Sequence, residues 1–309
     1  MLKRIFYVLL ALIVILVGAF AFTYRSDVPV TKLKIKYANA PSKFMEVKGL
    51  QVHYRDEGQG MPIVLVHGTG SSLHTWDVWT QKLKPHFRVI RFDLPAYGLT
   101  GPDPKHDYRI ETYVDFVKQV LDKLGVKKCH IAGNSLGGKI SWLFTLTHPD
   151  MVDKMILLDA SGIPTNKKSP WVFRLAKTPV LNKVVRYATP RFFFRNNLKQ
   201  VYSDDSKITE QLVDQYYDLM LREGNREAFL YRAKIKQKDN SAEIKNIKNK
   251  TLIMWGKEDT WIPVKLAYEF QKRLPNNQLI VYPKVGHVPM EEIPNKTATD
   301  ALKFLKDNQ

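Results

Sequence analysis

One short stretch constrains the chain more than any other: Ile131-Ala132-Gly133-Asn134-Ser135-Leu136-Gly137-Gly138. An apolar run from Cys129 to Ala132 leads into it, and a helical segment from Lys139 to Thr147 leads out. A serine at such a point reads as a G-x-S-x-G elbow, in which a strand turns sharply into a helix with the hydroxyl at the tip. The flanking glycines are what the geometry needs. In a strained turn, side chains beside the nucleophile would keep strand and helix apart. The start of the new helix lies behind Ser135 and favours negative charge developing there.

The surrounding pattern is that of a parallel sheet. Pro62 to Val66 is wholly apolar, as in strands buried on both faces, and it ends at His67-Gly68-Thr69-Gly70. A second strand, Arg88 to Phe92, ends at Asp93-Leu94-Pro95-Ala96-Tyr97-Gly98. From Ile110 to Leu124 the apolar positions fall on one helical face. A strand from Lys154 to Leu158 follows the elbow helix and ends at Asp159. Strands separated by helices predict a parallel sheet with crossover helices, preceded by a hairpin over Phe44 to Gly58 that turns at Lys48-Gly49.

The rhythm stops near Ile163 and resumes at Thr251. Residues 163–248 read as an inserted helical cap with aromatic clusters at Trp171-Val172-Phe173, Phe192-Phe193-Phe194 and Tyr216-Tyr217. They hold 18 Lys and Arg against 9 Asp and Glu, half of the chain's net excess of +18. Strand Leu252–Trp255, helix Val264–Leu274, strand Gln278–Tyr282 and helix Thr297–Lys306 complete the order. The predicted division is an anchor over 1–24, a linker over 25–43, core over 44–162, cap over 163–248 and core again over 249–309.

The anchor prediction rests on Ile5 to Phe22, 18 residues without a charge. A secretory signal has an apolar region of roughly 7–15 residues, whereas a spanning helix wants about 17–25. Ala19 and Ala21 keep a cleaved signal as the alternative. Lys3 and Arg4 favour an inside N-terminus, with the catalytic domain extracytoplasmic, although Arg25, Lys32, Lys34 and Lys36 pull the other way. The basic balance favours anionic partners. No zinc-finger spacing, RNP-type aromatic motif or basic helix with heptads is present, so a membrane surface is expected rather than nucleic acid. The single cysteine, Cys129, allows neither an intramolecular disulfide nor a cysteine metal site, and reads as a small core residue.

A serine hydroxyl needs a base to take its proton and an acid to orient that base. Both must sit on loops after the carboxyl ends of strands. His287, in Lys284-Val285-Gly286-His287, fits the base, Gly286 letting the backbone turn so that the ring reaches inward; the other histidines lack a partner motif. His67 is expected to brace its loop. Asp259 is preferred as the acid, with Asp159 as its rival and Glu258 adjacent; Asp93 is assigned to holding its own turn. Two backbone donors must await the oxyanion, and the Leu136 and Thr69 amides are placed for it.

These segments together resemble the α/β-hydrolase superfamily: His67-Gly68, Asp93 to Gly98, Gly133 to Gly138, Gly256-Lys257-Glu258-Asp259 and Gly286-His287. The elbow and cap are similar to those of bacterial lipases and esterases, monoacylglycerol lipases and carbon–carbon bond hydrolases. The resemblance implies an α/β-hydrolase fold, a Ser135–Asp259–His287 triad, and an oxyanion hole at Thr69 and Leu136. Dehalogenases and epoxide hydrolases of this fold carry aspartate at the elbow, where this chain has Ser135. The oxyanion loop departs from many relatives in reading His-Gly-Thr-Gly. The resulting expectation is a serine hydrolase of carboxylic esters, lipid-like in view of the greasy, basic cap and the anchor. The alternatives are a carbon–carbon bond hydrolase, a haloperoxidase-like member, or a non-catalytic ligand-binding member. No cofactor or metal is called for.

Overall fold

The computed structural model describes residues 1–309 apart from Val180, Gln237, Asn308 and Gln309, and the backbone alone of Val185. In chain order the elements are α1 (Leu2–Thr23), α2 (Val30–Tyr37), β1 (Lys43–Val47), β2 (Leu50–Glu57), β3 (Pro62–Val66), α3 (Asp77–Leu83), β4 (Arg88–Phe92), α4 (Ile110–Lys123), β5 (Cys129–Asn134), α5 (Leu136–Thr147) and β6 (Val152–Leu158). Five helices follow: α6 (Trp171–Lys177), α7 (Leu181–Tyr187), α8 (Arg191–Val201), α9 (Glu210–Leu221) and α10 (Asn225–Lys234). The chain ends with β7 (Lys250–Gly256), α11 (Lys265–Arg273), β8 (Asn277–Tyr282), α12 (Pro289–Glu292) and α13 (Pro294–Lys306).

Among the described residues, eight strands form one sheet in the order β1-β2-β4-β3-β5-β6-β7-β8. β1 and β2 are antiparallel at one edge, and all pairs from β4 to β8 are parallel. The hairpin closes on Lys48 and Gly49, both at positive φ (53° and 77°), with Val47 paired to Leu50. That is the two-residue turn whose twist matches its strands.

The apolar runs have a simple cause. Successive side chains of a strand point to opposite faces. In β3, Val64 and Val66 enter one hydrophobic cluster with α4, α5 and α11, while Ile63 and Leu65 enter the other with α3 and α13. β7 divides likewise, Ile253 and Trp255 against Leu252 and Met254. Both faces are covered, so neither set of positions can be polar. The parallel direction then delivers the ends of β3, β4, β5, β6, β7 and β8 to one edge of the sheet.

The expected linker requires correction. Val30–Tyr37 is a helix whose Leu33 and Tyr37 are buried against Leu99 and Leu219. Two apolar positions one turn apart are too few to stand out as a period. The chain before it is also fixed: Asp27 accepts from the buried Arg226, and Val28 bridges to Arg222. α1 is long and apolar enough to cross a membrane, and none of its residues is buried.

Candidate active site

The elbow explains its glycines atom by atom. Ser135 has φ 54° and ψ −113°, between the last residue of β5 and the first of α5. A Cβ on Gly133 would stand 2.2 Å from the Gly137 carbonyl oxygen, and one on Gly137 would stand 2.1 Å from that of Val66. On Gly138 it would meet Ala160 at 2.6 Å. Neighbouring loops clamp the turn, since the Ser135 amide donates to Leu158 O and the Ser161 amide to Ser135 O, each at 3.0 Å.

The structure brings His287 and Asp259 together. His287 Nδ1 lies 2.7 Å from Asp259 Oδ2, and both residues are buried. Asp259 Oδ1 accepts from the amides of Trp261 (2.7 Å) and Ile262 (2.9 Å), so both oxygens are held. The tie to the elbow runs through Asn134, whose Nδ2 donates to His287 O at 3.0 Å and to Leu158 O at 3.2 Å. The residue beside the serine thus fixes the backbone of the histidine. The indole of Trp261 covers the imidazole at 5.5 Å between centroids.

The structure gives Gly286 a different reason from a turn. A Cβ there would come 2.3 Å from Val201 O, at the end of α8, and the neighbouring His287 amide donates to that same carbonyl at 2.7 Å. Close passage of the cap is what requires glycine.

Asp159 stands in the same cluster. One oxygen each of Asp159 and Asp259 and a ring nitrogen of His287 lie within 4.8 Å of one another, the grouping among the described residues nearest to a metal site. Asp159 Oδ1 accepts from the Gly256 amide at 3.0 Å, while its Oδ2 has no hydrogen-bond donor among the described residues. Burial, then the negative charge of Asp259, push the Asp159 carboxyl well above the usual carboxylate range. A proton on Asp159 satisfies this arrangement without an ion.

The remaining loop ends have supporting parts. His67 accepts at Nε2 from the Leu94 amide (2.9 Å), which leaves Nδ1 to donate to Gly68 O (2.7 Å) and braces the loop that carries Thr69. Burial lowers its affinity for a proton, consistent with a neutral ring. Asp93 accepts from the amides of Leu73 and Leu99 and pairs with His53. Burial raises its carboxyl, but His53, His67 and His74 outweigh this and hold it below the usual range.

Ser135, Leu136 and Thr69 line one cavity of about 250 Å³ together with Ser161, Lys177, Arg232 and Trp261. The Leu136 amide is the first of α5, where a helix leaves its N–H groups unpaired. Thr69, Phe173 and Trp261 also border a second, apolar compartment of about 110 Å³ with Phe193, Phe229 and Leu230. Arg232 was not singled out from sequence. Its Nε is buried with no acceptor among the described residues, and nothing in the run Leu230-Tyr231-Arg232-Ala233 distinguishes it from the cap's other cations.

Comparison with known proteins bears on the whole assembly. A profile for the alpha/beta hydrolase fold matches residues 61–294. The 2-hydroxy-6-oxononadienedioate/2-hydroxy-6-oxononatrienedioate hydrolase 1 of Pseudomonas putida is 31% identical over 80% of this chain and 90% of its own length. The 2-hydroxy-6-oxo-6-phenylhexa-2,4-dienoate hydrolase of Burkholderia cepacia is 28% identical over the same shares. Among solved structures, the meta-cleavage product hydrolase from Pseudomonas fluorescens IP01 superposes with a TM-score of 0.76 at 26% identity, over 86% of this chain and 98% of that one. A membrane phospholipase A shares the fold along 98% of this chain, with a TM-score of 0.73 at 24% identity.

These relatives correct the expectation of a lipid-like carboxylic ester. The similar curated proteins are carbon–carbon bond hydrolases, the class that the sequence reading held as an alternative. The greasy cap misled because apolar lining serves any substrate with an apolar end. The chain is a hydrolase belonging to the α/β-hydrolase fold family.

Proposed function

We propose that this chain hydrolyses a carbon–carbon bond in 2-hydroxy-6-oxo-dienoates, with Ser135 as nucleophile, His287 as base, Asp259 as the acid that orients it, and the Thr69 and Leu136 amides as oxyanion donors. The observation that carries the reading is the divided cavity. Ser135 shares its compartment with Arg232 and Lys177, while the adjoining one is walled mainly by aromatic and aliphatic side chains, with Arg186, Arg226 and Asn197 also on its wall. Such a substrate has a carboxylate at one end and its 6-substituent at the other. With the ketone at Ser135, the carboxylate reaches Arg232 and the apolar end enters the second compartment. The relatives named above support the same class.

The chemistry follows from this placement. In the 2-oxo tautomer C5 is a methylene, and Ser135 Oγ attacks C6 as His287 takes its proton. The amides of Thr69 and Leu136 receive the oxyanion. Collapse breaks C5–C6, and the pair leaving on C5 delocalises through the alkene to the 2-oxygen. That dienolate recovers the proton from His287. Water, deprotonated by His287, then attacks the acyl-serine, and the same proton passes from His287 to the departing Ser135 Oγ as the carboxylic acid is released. One water is consumed, its hydroxyl ending on C6.

In this reading residues 44–162 and 249–309 form the catalytic core and 163–248 its cap. We take α1 as a membrane anchor, with the core outside the cytoplasm on the strength of Lys3 and Arg4. The test is turnover of 2-hydroxy-6-oxo-6-phenylhexa-2,4-dienoate by the full chain, followed by loss of the dienone chromophore. Turnover of simple esters without any dienoate cleavage would refute the proposal.

A further inference from the structure

Few large apolar side chains outside α1 are exposed, and four of them, Leu181, Val184, Tyr187 and Phe192, lie together on α7 and the start of α8. On α7 they recur every third residue, and Asn182, on the opposite side, is buried. The helix therefore presents an apolar stripe outward, the reverse of a soluble surface helix.

Its position gives the stripe a partner. The chain leaving α1 lies directly against it: the Tyr24 ring stacks on Tyr187 at 6.2 Å between centroids, and the Arg25 amide donates to Tyr187 O at 2.8 Å. Tyr24 also bridges to Ala188. Where the apolar span ends, the apolar stripe begins.

Between α7 and α10, on the side of α7 that carries the buried Asn182, runs a groove of about 690 Å³ lined by Lys177, Lys183, Arg186 and Lys234, with Lys183 flanking the stripe and Tyr187 common to both. Arg186 is neutralised by Glu227 at 2.7 Å, but Lys183 and Lys234 form no ion pair among the described residues. Aromatic and aliphatic side chains flanked by unpaired lysines suit an interface between acyl chains and anionic headgroups.

We propose that α7 and the lysine groove beside it are the membrane-facing surface of the cap, seated on anionic phospholipid. The inference rests on the reading of α1 as an anchor. Seated this way, the compartment that shares Arg186 and Leu230 with the groove lies just above the headgroups.

The experiment uses the full chain in vesicles of phosphatidylcholine, with or without phosphatidylglycerol. A polarity-sensitive fluorophore is attached at Leu181→Cys, the native Cys129 being buried. The expected result is a blue shift with phosphatidylglycerol, lost in the Lys183→Glu/Lys234→Glu variant, whose dienoate turnover is unchanged. Amide exchange over 181–187 in the unlabelled chain should slow under the same condition. A fluorophore that reports water in both vesicles overturns the proposal, and so does a shift that follows protein density rather than lipid charge, since a second copy then covers the face. Chains that fail to float with vesicles refute the anchor instead, so the two failures are distinguishable.

Discussion

Asp159 and Asp259 end neighbouring strands and bring their carboxyls within 4.8 Å of each other beside His287, but their surroundings differ. Asp259 accepts from His287 and two amides, whereas Asp159 accepts from one. This asymmetry supports the proposal that Asp259 is the working acid. Asp259→Asn should lower kcat by about 10⁴-fold, as when a triad histidine loses its orienting carboxylate. Asp159→Asn should stay within about tenfold of wild type, because an amide can replace a protonated carboxyl as donor. Steady-state rates on one dienoate decide, and the reverse ranking would move the acid to Asp159.

The same residue sets a pH dependence. With its carboxyl raised in the fold, Asp159 keeps a proton that the unfolded chain releases near its ordinary range. Stability from this group is therefore complete below about pH 4 and declines as pH rises towards the folded value. Asp159→Asn removes the decline. Its melting temperature should exceed that of wild type at neutral pH, by about 2–4 °C per kcal/mol recovered, and the two should converge in acid. Calorimetry across pH 4–8 measures the difference.

Arg232 is predicted to hold the substrate carboxylate. Arg232→Met should raise KM for dienoates at least about tenfold, from loss of a charged hydrogen bond worth roughly 1.5–3 kcal/mol. Turnover of a small neutral ester, if any is hydrolysed, should change little. Equal losses on both would assign Arg232 to structure.

Gly137→Ala tests the elbow. Its Cβ would overlap backbone of β3 rather than a movable side chain, so strand and helix must part. We expect a large loss of folded protein, on the order of 3 kcal/mol or more, read by chemical denaturation. Gly49→Ala, with open space around it, should cost only the strain of its positive φ.

The fold was legible because double-sided burial leaves its mark in the apolar runs of β3 and of β7 from Leu252 to Trp255, and the elbow leaves its mark in glycine spacing. The pairing of Asp259 with His287 was legible because each follows a strand whose direction is set. The tie from Asn134 to the His287 backbone and the place of Arg232 in the Ser135 cavity were not, for both come from segments brought together across the chain that no local period encodes. Asp159 was visible as a rival, but the difference between one hydrogen-bond partner and three is a property of loops folded together. The substrate class was misread because hydrophobic lining does not specify which bond is cut.

The histidine loop carries a consequence for motion. The His287 amide hangs from the final turn of α8, through Val201. A lid swinging as one piece would drag the His287 backbone with every opening. The end of α8 is thereby tied to the His287 loop, so that this part of the roof behaves as masonry.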